Sequence, residues 1–169
     1  AAEDQPWLII DLEAPQTVTR EGFQVIGQAR FSAEVRVLGR ERYRLGDLAD
    51  VSPLDIAVGW GPMSDSTLLA DIDISQSGRF YFWHYDDEPP VPTDVIESHS
   101  ANWHLVPAND TVWRKLSGLR VGDVVKLDGM LVNEGLPVFF KSGVYVGEGI
   151  APLAVIVGWY SRIGAWLIA

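Results

Sequence analysis

Residues 98–110, SHSANWHLVPAND, place two serines, two histidines and two asparagines around one tryptophan. A serine hydroxyl beside an imidazole is the nucleophile and base arrangement of a hydrolase. The pairs that offer this chemistry are Ser98 or Ser100 with His99 or His104. Adjacency alone is weak support, and the chain has no Gly-x-Ser-x-Gly nucleophile motif. A hydrolase therefore stays an alternative interpretation of this segment.

A metal site is the second chemistry that these residues raise. The chain has three histidines, His84, His99 and His104, and zinc catalysis usually needs three protein ligands. His99 and His104 are five positions apart, so they point to opposite faces of a strand, or about 140° apart on a helix. The chain also has no cysteine, which excludes thiolate metal sites and disulfides. The sequence predicts no metal and no cofactor.

A structural role explains the polar residues of the same segment without requiring a catalytic geometry. Irregular backbone between strands leaves N–H and C=O groups that need partners once buried, and Ser, Asn, His and Asp side chains supply them. Trp103 and Leu105 would then enter the core, while Ser100, Asn102 and His104 bond to the surrounding backbone. The sequence favours this interpretation over catalysis.

Two further motifs, GWGPMSD at 59–65 and DISQSGR at 73–79, allow either a ligand pocket or a tight turn. The two glycines permit a turn, and Ser64 or Asp65 is a helix cap. As a ligand loop, Trp60 would be a stacking platform; alternatively, Arg79 pairs internally with Asp65 or Asp73. The residues predicted to converge on a shallow binding pocket are Trp60, Ser64, Asp65, Gln76, Arg79, His99, Asn102 and His104.

The chain's charge restricts its partners. It carries 13 basic against 23 acidic residues, a formal net charge of −10. Such a surface repels a phosphate backbone and an anionic membrane alike. The sequence therefore predicts no nucleic-acid partner, and leaves a small molecule or a protein.

Periodicity predicts the elements that position these residues. Residues 29–38 alternate apolar and polar side chains, which indicates a half-buried strand, and 122–132 and 137–147 form a hairpin pattern. The aromatic run 79–85 predicts a central strand covered on both faces. Short helices are predicted after Ser52, near residue 65, from Thr93 and after Asp110. The sum is one globular domain, 1–169, of β-rich α+β class, with an antiparallel sheet or small barrel and two to four short helices.

The C-terminal residues 150–169 are almost entirely apolar, with one charge, Arg162. Their length approaches that of a membrane span. Pro152, Gly158 and Gly164 interrupt the run, so buried strands are the expected structure.

Three motifs together resemble a family of bacterial proteins: the segment 51–65 with GWGPMSD, DISQSGRFY at 73–81, and HSANWHLVPA at 99–108. The similarity spans roughly 22–132. Members of that family usually have an N-terminal membrane anchor or signal. The resemblance therefore implies the cell envelope or periplasm, with a membrane anchor outside this chain as one option and the cytoplasm as the alternative location. No activity is implied, and the segment after 132 departs from the family pattern. The functional expectation is a non-catalytic, envelope-associated binding or interaction module, with a Ser/His hydrolase using residues 98–104 as the alternative.

Overall fold

The computed structural model describes residues 7–133 and 154–164. Within these ranges the chain forms eight strands, four short α-helices and one 3-10 helix. In chain order they are β1 (Trp7–Arg20), β2 (Phe23–Arg42), α1 (Asp47–Val51), β3 (Leu54–Gly59), the 3-10 helix (Gly61–Ser64), α2 (Ser66–Leu69), β4 (Asp73–Ser77), β5 (Phe80–His84), α3 (Thr93–Ser98), β6 (Ser100–Pro107), α4 (Asp110–Leu116), β7 (Val124–Asn133) and β8 (Ala154–Gly164). The predicted β-rich α+β class is confirmed.

The main sheet closes on itself. Its strand order is β1-β2-β3-β6-β8-β7, and β2 also pairs with β7, so five strands form a ring with β1 attached outside it. All pairings are antiparallel except β6 with β8. The 20-residue β2 reaches three neighbours because register shifts bend it along its length. With α4 between β6 and β7, this is the connectivity of an OB-fold barrel.

Alternating side chains of the barrel strands build the core. Phe31, Ala33, Val35 and Val37 of β2 are buried, as the period-two pattern of 29–38 predicts. They pack with apolar residues of β3, β6, β7 and α4. The rings of Phe31 and Trp103 meet edge to face, with centroids 5.3 Å apart. Burial of Trp103 and of Leu105 agrees with the structural interpretation of the 98–110 segment.

The segment 61–99 is an insertion between β3 and β6 that packs on the outside of the barrel. It contains the 3-10 helix, α2, the β4–β5 hairpin and α3. Its apolar contact with the barrel wall consists of Leu38, Ala57, Met63, Ile72 and Ile96, with partly buried residues of the hairpin around them. The barrel and the insertion therefore share a second apolar layer.

Two element predictions are wrong. The expected helix after Ser52 is strand β3, whose Leu54, Ile56 and Val58 alternate into the barrel core. The aromatic run 79–85 is not a central strand: β5 pairs only with β4 in a two-stranded sheet, and Phe82 on its outer face is exposed. In both cases a short apolar run was compatible with more than one environment, and tertiary packing decided between them.

A third prediction is also wrong: the irregular backbone expected in 98–110 is, over Ser100–Pro107, the regular strand β6, which pairs with β3 and β8. The remaining element predictions hold where the structure describes them. Asp65 caps α2 by accepting from the Thr67 amide at 2.7 Å. The helix predicted after Asp110 is α4, although Asn109 is its cap, accepting from the Val112 amide at 2.9 Å. Strands cover 124–133 and 154–164 as expected, whereas the partner run 137–147 lies outside the described residues.

Across 7–133 and 154–164, no helix combines the length and apolar character that a membrane crossing requires.

Candidate functional site

An acid and a histidine face each other at the centre of the site. Asp55 on β3 and His104 on β6 are direct cross-strand partners, and both point away from the barrel core towards the insertion. His104 Nδ1 lies 2.8 Å from Asp55 Oδ2. The Asp55 side chain is fully buried and that of His104 is 3% exposed, so solvent reaches neither group.

Arg79 brings the tip of the hairpin into the same cluster. Its Nη1 lies 2.8 Å from Asp55 Oδ1 and 3.4 Å from Ser52 Oγ. Its guanidinium carbon lies 3.7 Å from the centre of the Tyr43 ring, and its backbone N–H donates to the Tyr43 hydroxyl at 3.0 Å. The residue adopts φ +76°, because the two-residue turn at Gly78 and Arg79 requires positive φ at both positions.

Asn102 connects the pair to the inside of the hairpin. Its amide nitrogen donates to the Arg79 carbonyl at 3.0 Å and approaches Asp55 Oδ2 at 3.4 Å. Its amide oxygen accepts from Gln76 Nε2 at 2.7 Å. We refer to the connected side chains as the Asp55 network; they are Tyr43, Ser52, Asp55, Gln76, Arg79, Asn102 and His104.

Burial of this network also affects Tyr43. Desolvation is the main reason that the pKa of its hydroxyl is raised, and the negative charge of Asp55 raises it further. The hydroxyl also donates to Glu41 Oε2 at 3.1 Å, which favours the neutral form. Tyr81, on the inner face of β5, likewise has a raised pKa because it is buried. Both phenols are thus held in the protonated form.

Four of the eight predicted pocket residues belong to the Asp55 network: Gln76, Arg79, Asn102 and His104. The partner of Arg79 is Asp55, so the predicted pairing with Asp65 or Asp73 is wrong. Asp65 and Asp73 both lie on the surface.

The other four predicted pocket residues lie around the 3-10 helix, at the opposite end of β3. Trp60 is 2% exposed within the barrel core, so it is not the open stacking platform that the motif suggested. The Ser64 hydroxyl donates to the Gly61 carbonyl at 2.6 Å, and Asp65 caps α2. The His99 carbonyl accepts from the Trp60 amide at 3.0 Å. These contacts close the GWGPMSD turn upon itself.

Ser98 and His99 are the one predicted Ser/His pair that the structure places within hydrogen-bond distance, with Ser98 Oγ 2.9 Å from His99 Nδ1. The Ser98 hydroxyl, however, lies 2.6 Å from the Asp94 carbonyl, and His99 Nδ1 lies 3.0 Å from the Val95 carbonyl. Since a carbonyl only accepts, each of these groups uses its proton to bond the backbone of α3. A base would instead need an unprotonated nitrogen facing the hydroxyl.

Ser100 is internal. It is 3% exposed, donates to the Ile96 carbonyl at 2.6 Å and contacts the Tyr81 hydroxyl at 3.1 Å. His104 is four positions further along β6, roughly 13 Å away at the usual rise of a strand. Ser100 and His104 therefore do not form a nucleophile and base pair.

Three members of the network were not predicted from the sequence: Tyr43, Ser52 and Asp55. Asp55 is the only charged residue in the strand LDIAVG, and a single acid within a buried strand needs a partner. That pattern was the available signal, but the helix expected after Ser52 placed Asp55 on an exposed first turn instead. Tyr43 gave no signal, because its role depends on where the hairpin tip docks.

In the described part of the chain, no three His, Asp or Glu side chains lie close enough to share a metal ion. Comparisons with protein-family models, with curated proteins and with solved structures find no match to this chain.

Proposed function

We propose that this chain is a non-catalytic binding or interaction module of the cell envelope. The observation that carries the proposal is the burial of the Asp55 and His104 pair, at most 3% exposed, beneath the hairpin. An acid and imidazole pair that no substrate can reach has no use as a catalytic base. The pair instead joins β3 to β6, and the contacts of Arg79 with Asp55 and of Gln76 with Asn102 fix the insertion to these strands.

The arrangement of the barrel supports the same function. OB-fold barrels commonly bind oligonucleotides and oligosaccharides on the face of their second and third strands. Here those strands are β3 and β6, and the insertion covers their outer side. A net charge of −10 further disfavours nucleic acid. The insertion therefore presents its own outer surface to a partner in place of that face.

The envelope location is inferred from the three shared motifs and the anchor or signal that usually precedes them in the resembling family. The motif residues are those that lock the insertion in place: Gln76 and Arg79 in the second motif, and Asn102 and His104 in the third. The motif residues thus hold the insertion in one arrangement on the barrel. We expect the module to bind a small molecule or a protein.

The alternative is a hydrolase in which Ser98 and His99 act together, because their 2.9 Å contact lies at the surface. The two proposals differ in what a folded variant should do. Turnover of p-nitrophenyl acetate and p-nitrophenyl butyrate would be compared for the chain, Ser98→Ala and His99→Ala, with circular dichroism to confirm folding. We expect equal background rates in all three. A rate that saturates with substrate and disappears in both folded variants would establish the hydrolase instead.

The location is tested separately by fractionating cells that express the full-length gene product with a C-terminal tag. We expect it in the membrane or periplasmic fraction. Recovery with a cytoplasmic marker would refute the envelope assignment and leave the binding module to be judged on its own.

A further inference from the structure

The outer side of the β4–β5 hairpin exposes aromatic residues in a regular pattern. Its cross-strand neighbours are Asp73 with His84, Ser75 with Phe82, and Ser77 with Phe80. The alternate residues face inward and include Ile74 and Trp83, which pack against the barrel. We call the outward set the hairpin face; its members are Asp73, Ser75, Ser77, Phe80, Phe82 and His84.

Phe80 is 37% exposed and Phe82 is 52% exposed. A β-hairpin that packs one face on the core usually has polar side chains on the other face, towards water. Two phenylalanines side by side on the solvent face of a five-residue strand indicate a contact surface, because single scattered apolar residues would not form a stripe.

The charge around this stripe has one sign. The insertion 61–99 has eight acidic residues and one Lys or Arg residue, Arg79, which gives a net charge of −7 out of −10 for the chain. All eight carboxylates are exposed, and Arg79 is already paired with Asp55. Within 7–133 and 154–164, the one contact of these acids with a basic side chain is that of Asp86 Oδ1 with His84 Nε2, at 3.8 Å. The acids are Asp65, Asp71, Asp73, Asp86, Asp87, Glu88, Asp94 and Glu97.

We propose that the hairpin face binds a basic, extended segment of a partner protein in which arginines alternate with apolar residues. Charge complementarity selects this occupant: a guanidinium stacks on the Phe80 or Phe82 ring and pairs with Asp73 or Asp86 at the end of the stripe. Anionic membranes and nucleic acids are repelled by the same acids. This inference rests on the proposed interaction function and specifies the chemistry of the partner.

The test uses the full chain and a fluorescein-labelled peptide of three Arg-Leu repeats, with fluorescence anisotropy as the readout. Peptides of three Arg-Ser repeats and three Glu-Leu repeats separate the charge requirement from the apolar one. We expect saturable binding of the Arg-Leu peptide, and binding at least about tenfold weaker for each of the other two. Affinity should fall as salt increases.

Variants then locate the site. The double variant Phe80→Ser with Phe82→Ser should weaken Arg-Leu binding at least about tenfold, since aromatic anchors dominate such contacts. Asp73→Asn with Asp86→Asn should weaken binding and reduce its salt dependence. The matched control Glu13→Gln with Glu34→Gln removes two exposed acids of β1 and β2, outside the insertion, and should leave the affinity unchanged. Circular dichroism confirms that each variant folds.

Several outcomes would overturn the proposal. The first three are the absence of saturable binding, an equal loss of affinity in the Glu13 and Glu34 control, and equal binding of the Glu-Leu peptide. The fourth is a dimer in analytical ultracentrifugation that the phenylalanine variant abolishes, because a second copy of the chain would then be the occupant. Phenylalanine-dependent binding to vesicles of phosphatidylcholine and phosphatidylglycerol would identify a lipid surface instead. None of these outcomes produces Ser98-dependent ester turnover, so failure here is distinguishable from failure of the proposed function.

Discussion

In the Asp55 network, each buried polar side chain is a hydrogen-bond or charge partner for another, which lowers the free-energy cost of burying both. A carboxylate as deeply buried as that of Asp55 is tolerated only when paired and hydrogen-bonded. Arg79 and His104 approach its two oxygens, each at 2.8 Å, from different elements. The same pairing that satisfies the charge therefore joins β3, β6 and the hairpin.

Replacing His104 with alanine tests this role. We expect His104→Ala to lower the free energy of unfolding by about 2–4 kcal/mol, because the buried Asp55 carboxylate loses the partner that lies 2.8 Å from its Oδ2. His84→Ala is the matched control: its side chain is 72% exposed and lies 3.8 Å from Asp86, so its loss should change stability by less than about 0.5 kcal/mol. Urea unfolding followed by tryptophan fluorescence measures both. Similar small losses in the two variants would contradict the structural role of His104.

Four residues of the Asp55 network were predicted from the sequence, but the acid at its centre and the pairing between its members were not. The sequence favoured an architectural role for Asn102 and His104, and it left Arg79 open between a ligand pocket and an internal pair with Asp65 or Asp73. Choosing Asp55 over Asp65 and Asp73 required the strand register that places Asp55 opposite His104. Register is a property of the folded sheet, and local spacing does not specify it when a short run can also be a helix.

At the scale of elements, the turn after β3 is the tightest feature of the insertion. The 3-10 helix folds back over the end of β3, so a Cβ on Gly59 would collide with the Met63 carbonyl oxygen and lie 2.9 Å from Leu38 Cδ1. The GWGPMSD motif needs its first glycine for this close approach, more than for an unusual φ angle. The sequence predicted the turn but not the strand that it contacts.

Gly59→Ala should therefore destabilise the fold by about 3 kcal/mol, because the backbone of the 3-10 helix cannot move away without opening the apolar layer around Met63. Gly118→Ala is the control. Its Cβ would meet only the Lys115 carbonyl oxygen at 3.4 Å and the Arg114 carbonyl oxygen at 3.8 Å, so we expect a change below about 1 kcal/mol. Chemical denaturation measures the change in unfolding free energy of both variants. Equal changes would mean that the turn after β3 can adjust to the added Cβ.

At the scale of the whole molecule, two kinds of contact join the barrel and the insertion. The apolar layer around Ala57 and Ile96 contributes buried apolar area, and the Asp55 network contributes directional polar contacts that orient the insertion on the barrel. Periodicity predicted the class and the possible barrel, since the strand pattern of 29–38 is strong. It could not predict that 61–99 covers β3 and β6, because that contact depends on side chains far apart in the chain.

Alkaline unfolding tests this coupling across the molecule. Tyr43, in the β2–β3 loop, and Tyr81, in the hairpin, both have raised pKa values because they are buried. A raised pKa means that the folded state retains a proton that the unfolded state releases above about pH 10, so stability is intact below that pH and falls above it. Each tyrosine can contribute up to about 1.4 kcal/mol per pH unit to this slope.

We expect Tyr43→Phe and Tyr81→Phe each to flatten the dependence of unfolding free energy on pH above about pH 10, and the double variant to flatten it most. The measurement is a series of urea titrations from neutral to alkaline pH, in which each variant is referred to its own stability at neutral pH. An unchanged slope in the double variant would show that these phenols do not couple the loop and the hairpin to global stability.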